Sequence, residues 1–110
     1  VATETYSPRD DLVLREFLSR VREAVGKAPQ EVLLFGSRAR GDHDPTSDYD
    51  LIMVYDEVTD EMQETIRRVE SQVGMDHTVL ISYWLVGQDE LEGFTCEPFV
   101  INACREGVYI

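Results

Sequence analysis

The stretch LFGSRARGDHDPTSDYDLIMV, residues 34–54, joins two short apolar runs through a turn and a loop, and the rest of the chain falls into place around it. EVLLF (31–35) reads as a buried strand ended by Gly36. YDLIMVY (49–55) reads as a second strand, apolar on both faces, as a strand covered on both sides must be. Between them GDHDPTS (41–47) is loop by composition, because Gly, Asp, Pro and Ser each favour turns. Side chains alternate along a strand, so Asp48 and Asp50 face the same way. Two neighbouring carboxylates repel each other and lose hydration. A divalent cation between them offsets that cost, and hard oxygen ligands suit Mg²⁺ or Mn²⁺. Taken alone, a D-x-D is more often a solvated strand start.

Upstream, Leu14, Phe17, Leu18, Val21 and Val25 recur at steps of three and four between Pro8 and Gly26. That spacing predicts an amphipathic helix, stopped by Gly26 and Pro29. Downstream, Met62, Ile66, Val69 and Val73 predict a second amphipathic helix from Asp60 to Gly74, with Thr59 or Asp60 as its N-cap. MDHTVLIS (75–82) follows as a third strand with Asp76 at its start. Residues 89–92 and 98–106 read as helical up to Gly107, and Val108-Tyr109-Ile110 as a short edge strand. The order α-β-loop-β-α-β-α predicts a single α/β (α+β) domain over residues 1–110, in two or three layers, with helices packed on a small mixed sheet.

The topology brings the polar residues together. A helix between the second and third strands has the length a parallel crossover needs, so both strands start at one edge of the sheet. If the first strand runs antiparallel to the second, Gly36 and Ser37 arrive there too. Asp48, Asp50, Asp76 and a Gly-Ser turn then share one spot. Gly36 lets backbone approach a ligand closely, and exposed N–H groups in the turn after it favour phosphate. The Ser37 hydroxyl can donate to a phosphate oxygen, and Arg40 or Arg38 can neutralise one.

Composition limits the partners. With 22 acidic against 10 basic residues and a net charge of −12, the chain lacks the basic stripe that grips phosphates of long DNA or RNA. A triphosphate must be met by metal ions and a few placed donors, since the global field repels it. No apolar run approaches the ~18 residues of a membrane span, and VATETYSPRD lacks the basic start of a secretory signal. The two cysteines, Cys96 and Cys104, form no framework and read as buried free thiols of a reducing cytoplasm. His77 reads as a core or interface residue on the strand face opposite Asp76. His43, Asp42 and Asp44 read as loop, and Tyr83, Trp84 and Phe94, after the third strand, as core. Asp56-Glu57 and Asp60-Glu61 read as a solvated loop and a favourable helix start.

Gly36-Ser37, ten residues, then Asp48-Tyr49-Asp50 resembles the signature of the polymerase-beta-like nucleotidyltransferases, and in particular their minimal members from bacteria and archaea. The ending PFVINACREGVYI (98–110) is similar to their C-terminal helix and strand, so the likeness covers about residues 12–110. The resemblance implies that Asp48 and Asp50 bind two Mg²⁺ ions (or Mn²⁺). It implies that Asp76 ligates one ion and serves as general base toward an acceptor hydroxyl. Gly36 and Ser37 would hold the β- and γ-phosphates of ATP or another nucleoside triphosphate, and Arg40 matches a phosphate-contacting arginine of antibiotic nucleotidyltransferases. Larger relatives carry a second domain for the acceptor. Here the acceptor would be held by another protomer of a homo-oligomer, or would itself be a protein. Minimal members commonly pair with a helical HEPN-domain protein as antitoxin and toxin, the former moving AMP onto a tyrosine of the latter. An antitoxin acting by contact alone, or an enzyme acting on an aminoglycoside-type small molecule, are the alternatives.

Overall fold

The computed structural model describes residues 10–40 and 48–110. Helix α1 (Leu12–Val25) starts where the Asp11 side chain accepts a hydrogen bond from the Leu14 backbone N–H, and ends at Gly26 in the left-handed region, φ 92°. Strand β1 (Glu31–Phe35) leads through Gly36 into one helical turn, α2 (Ser37–Arg40). Strand β2 (Tyr49–Tyr55), helix α3 (Asp60–His77) and strand β3 (Ile81–Gly87) follow. Two short helices, α4 (Leu91–Phe94) and α5 (Pro98–Glu106), precede the edge strand β4 (Val108–Tyr109).

The sheet order is β3-β2-β1-β4. β2 is parallel to β3, as the crossover argument required; β1 is antiparallel to β2, which meets the condition set above, and also to β4. Leu14, Phe17 and Val21 of α1 and Ile66 and Val73 of α3 pack on the odd-numbered residues of β2, from Tyr49 to Tyr55. Val100 and Ala103 of α5 pack on the other face against Leu33, Ile52 and Val86. Helices on both faces make three layers, which decides between the two arrangements left open above. A strand apolar on both faces is what such a sandwiched β2 needs.

One boundary differs from expectation, and it moves several residues. Thr59 caps α3 as expected, accepting from the Met62 N–H at 3.1 Å. The helix then runs through Gly74 to His77, so Met75, Asp76 and His77 are helical and the third strand begins only at Ile81. Gly74 is not a terminator. The chain folds back across it, with the Val79 N–H donating to the Gly74 carbonyl at 3.0 Å, and a Cβ there would meet the Val79 carbonyl oxygen at 2.9 Å. The reversal is made by Thr78, at φ 54°. Tyr83 and Trp84 accordingly lie within β3 rather than after it. His77 is not on a strand: its ring meets Glu16 of α1 at 3.1 Å, at the interface of the two helices. Cys96 and Cys104 are exposed, not buried: Cys96 lies between α4 and α5, and α5 turns Val100 and Ala103 to the sheet rather than Cys104. No helix among the described residues is long and apolar enough to cross a membrane.

Candidate active site

Asp50 stands near the N-terminal end of β2, on the face away from α1 and α3, and Asp48 directly precedes the strand, at the edge of a groove that α3 also borders. The Asp50 face continues into Ile52, which α5 covers. In register, Asp50 sits between Phe35 of β1 and Ser82 of β3. The ring of Phe35 lies 5.5 Å from that of Trp84, so apolar surface flanks the carboxylate. Burial raises the Asp50 pKa above the ordinary carboxylate value, and the negative charge of Asp48 raises it further. A cation at the pair would offset both effects.

Gly36 closes the other side. Its φ is +79°, and a Cβ on it would come within 2.5 Å of Asp50 Oδ2. Only the absence of a side chain lets this turn lie against the carboxylate. The turn continues into α2, with the Ala39 N–H donating to the Gly36 carbonyl at 3.1 Å. Ser37 and Arg40 begin and end that helical turn; their side chains, and Asp42, His43 and Asp44, lie outside the described residues.

Arg38, one of two arginines considered for phosphate, has another role. It is 5 % exposed, sits over the Tyr49 ring at 3.9 Å, and pairs with Asp11 at 3.5 Å. The Tyr49 hydroxyl donates to the same Asp11 carboxylate, at 2.9 and 2.8 Å from its two oxygens. Asp11 also caps α1. The residue between the two aspartates thus points to the opposite face and ties β2, the Gly-Ser turn and α1 into one anchor. Sequence reasoning missed it, because nothing local links positions 11, 38 and 49.

Asp76 is not brought to this place. It lies in the last turn of α3, half exposed, with Oδ2 3.6 Å from Nη1 of Arg20 on α1. Among the described residues no three Asp, Glu, His or Cys side chains converge as a metal cage would require. Asp48 instead borders an open groove of about 660 Å³ running past Gly74, Met75, Thr78 and Leu80. One divalent ion would fit Asp48 and Asp50, an exposed carboxylate beside a half-buried one that has a glycine turn against it. Among the described residues, the three-carboxylate arrangement with Asp76 does not fit.

The nucleotidyltransferase domain family matches residues 14–103, which takes in the Gly-Ser turn and both aspartates. The chain belongs to that family. It is 34 % identical over 71 residues to a Methanocaldococcus jannaschii protein named "Putative protein adenylyltransferase MJ0141", a match covering 64 % of this chain and 72 % of that one. Its fold is similar to a crystal structure described as "a putative nucleotidyltransferase from Sulfolobus solfataricus", with a TM-score of 0.51 and 20 % identity. That likeness covers 98 % of this nucleotidyltransferase chain and 90 % of the other, and it concerns the fold alone.

Proposed function

We propose that this nucleotidyltransferase moves AMP from ATP onto a hydroxyl of a partner protein, with Mg²⁺ held by Asp48 and Asp50. The observation that carries the reading is the Gly36 turn seated against a carboxylate pair whose charge calls for a cation. The protein acceptor is supported by the name of the Methanocaldococcus relative. The likeness to minimal nucleotidyltransferases supports a HEPN-domain protein as that partner, in a toxin–antitoxin pair.

In the transfer, the acceptor oxygen bonds to the α-phosphorus and the bond from that phosphorus to the bridging oxygen of the β-phosphate breaks. Pyrophosphate leaves with the electron pair, and the acceptor proton passes to water. When bound, the metal neutralises charge on the phosphates. Gly36 lets the Gly-Ser turn lie against Asp50, so that its backbone borders the proposed phosphate position. Ser37 and the Gly36 backbone are assigned to the β- and γ-phosphates of the triphosphate and Arg40 to a phosphate contact, and the groove beside Asp48 gives the acceptor its approach. Catalysis of this kind is mostly positioning and charge stabilisation.

The test is incubation of ATP labelled at the α-phosphate with the chain, Mg²⁺ and the HEPN-domain protein. Label is expected on the partner and is expected to vanish with Asp48→Asn/Asp50→Asn; an unlabelled partner with the wild-type chain overturns the reading. One observation favours a second reading, an antitoxin that works by contact with its site idle: Asp76 stands apart from the pair. Under that reading the same double variant would still neutralise the toxin.

A further inference from the structure

We infer that this chain holds a single divalent ion, at Asp48 and Asp50, because Ser82 occupies the place on β3 from which a third carboxylate would complete a two-ion site. The inference rests on the nucleotide-transfer reading above and narrows its metal requirement.

β2 and β3 are parallel and in register, with Asp50 opposite Ser82 and Tyr49 opposite Ile81. Residues opposite one another in a sheet share a face, so Ser82 is the β3 side chain level with Asp50 on the site face. One step back on that face is Leu80, whose carbonyl accepts from the Tyr49 N–H at 2.9 Å. Neither carries charge. Asp76 comes five residues before β3 begins, on a helix that covers the opposite face of the sheet. Bringing it to Asp48 and Asp50 would mean unwinding the last turn of α3, undoing the Thr78 reversal and parting Asp76 from Arg20. Glu70 borders the same groove as Asp48, yet it completes no three-ligand set among the described residues.

Two ions held about 4 Å apart repel strongly, and such sites offset the repulsion with shared carboxylates. Mg²⁺ accepts water for several of its six positions, so one ion needs only one or two carboxylates and the phosphates of its nucleotide. Asp48 and Asp50 meet that need. A serine hydroxyl brings no charge to meet a second ion.

The experiment counts Mn²⁺ bound per chain by electron paramagnetic resonance, with the full chain saturated in α,β-methylene-ATP. One ion is expected for the wild-type chain and for Asp76→Asn, and two for Ser82→Asp. Two ions in the wild-type chain, a loss on Asp76→Asn, or a count of one in folded Ser82→Asp overturns the inference while the transfer reading stands. No bound ion in the wild-type chain overturns both. Should Ser82→Asp fail to fold, as judged by circular dichroism, the wild-type and Asp76→Asn counts decide.

Discussion

A methyl group at Gly36 would press on Asp50 Oδ2, and the backbone there lies at φ +79°. Gly36→Ala is therefore expected to cost about 1–2 kcal/mol in backbone strain and to displace the carboxylate it touches. Thermal melts should show a modest loss, and nucleotide titrations a larger one; unchanged nucleotide binding would contradict the close approach. Asp50 itself is held at a cost. Its folded pKa is raised, by burial first and by Asp48 second. The stability associated with it is thus complete below the ordinary carboxylate range and is lost as pH rises through the raised value. Metal-free Asp50→Asn should melt above the metal-free wild-type chain at pH 7, and the gap should close as pH falls below that range. A variant that melts lower at pH 7 would show the carboxylate is not strained. Asp48 and Asp50 stood out in the sequence through the strand period together with the Gly36-Ser37 turn upstream, because both are local and fixed by backbone geometry. Arg38 was not, because its partners Asp11 and Tyr49 come from distant parts of the chain.

The elements teach a different lesson. α1, β1 and β2 could be read from spacing and stop residues, and the Thr59 cap placed the start of α3. The end of α3 could not be read, since Gly74 looks like a terminator and Thr78-Val79-Leu80 looks like strand. The deciding contact, the Val79 backbone passing over Gly74, is a property of the folded turn. That one shift carried Asp76 from a predicted strand edge to the α1–α3 interface, where it meets Arg20. Between elements, the Tyr49 hydroxyl joins β2 to α1 through Asp11. Tyr49→Phe keeps the ring under Arg38 and removes that link. It is expected to lower stability in urea by about 1.5–3 kcal/mol, the range for hydrogen bonds to a charged group. An unchanged midpoint would mean the anchor contributes nothing.

Across the whole molecule, 22 acidic residues face 10 basic ones, and the net charge of −12 makes the compact state repel itself. Screening shortens the reach of that repulsion to about 10 Å at 0.1 M salt. Added NaCl should therefore raise the melting temperature of the metal-free chain; a flat or falling series would show that ion pairs such as Arg67–Glu64 outweigh the net field. On the proposed reading, the same charge would leave a triphosphate dependent on a metal held by Asp48 and Asp50. The most direct measurement is a calorimetric titration of α,β-methylene-ATP into the full chain, with and without Mg²⁺, alongside folded Asp48→Asn/Asp50→Asn. Saturable binding that requires both Mg²⁺ and the two aspartates is the expected result. Equal binding without the metal or in the variant, or no binding at all, would contradict it.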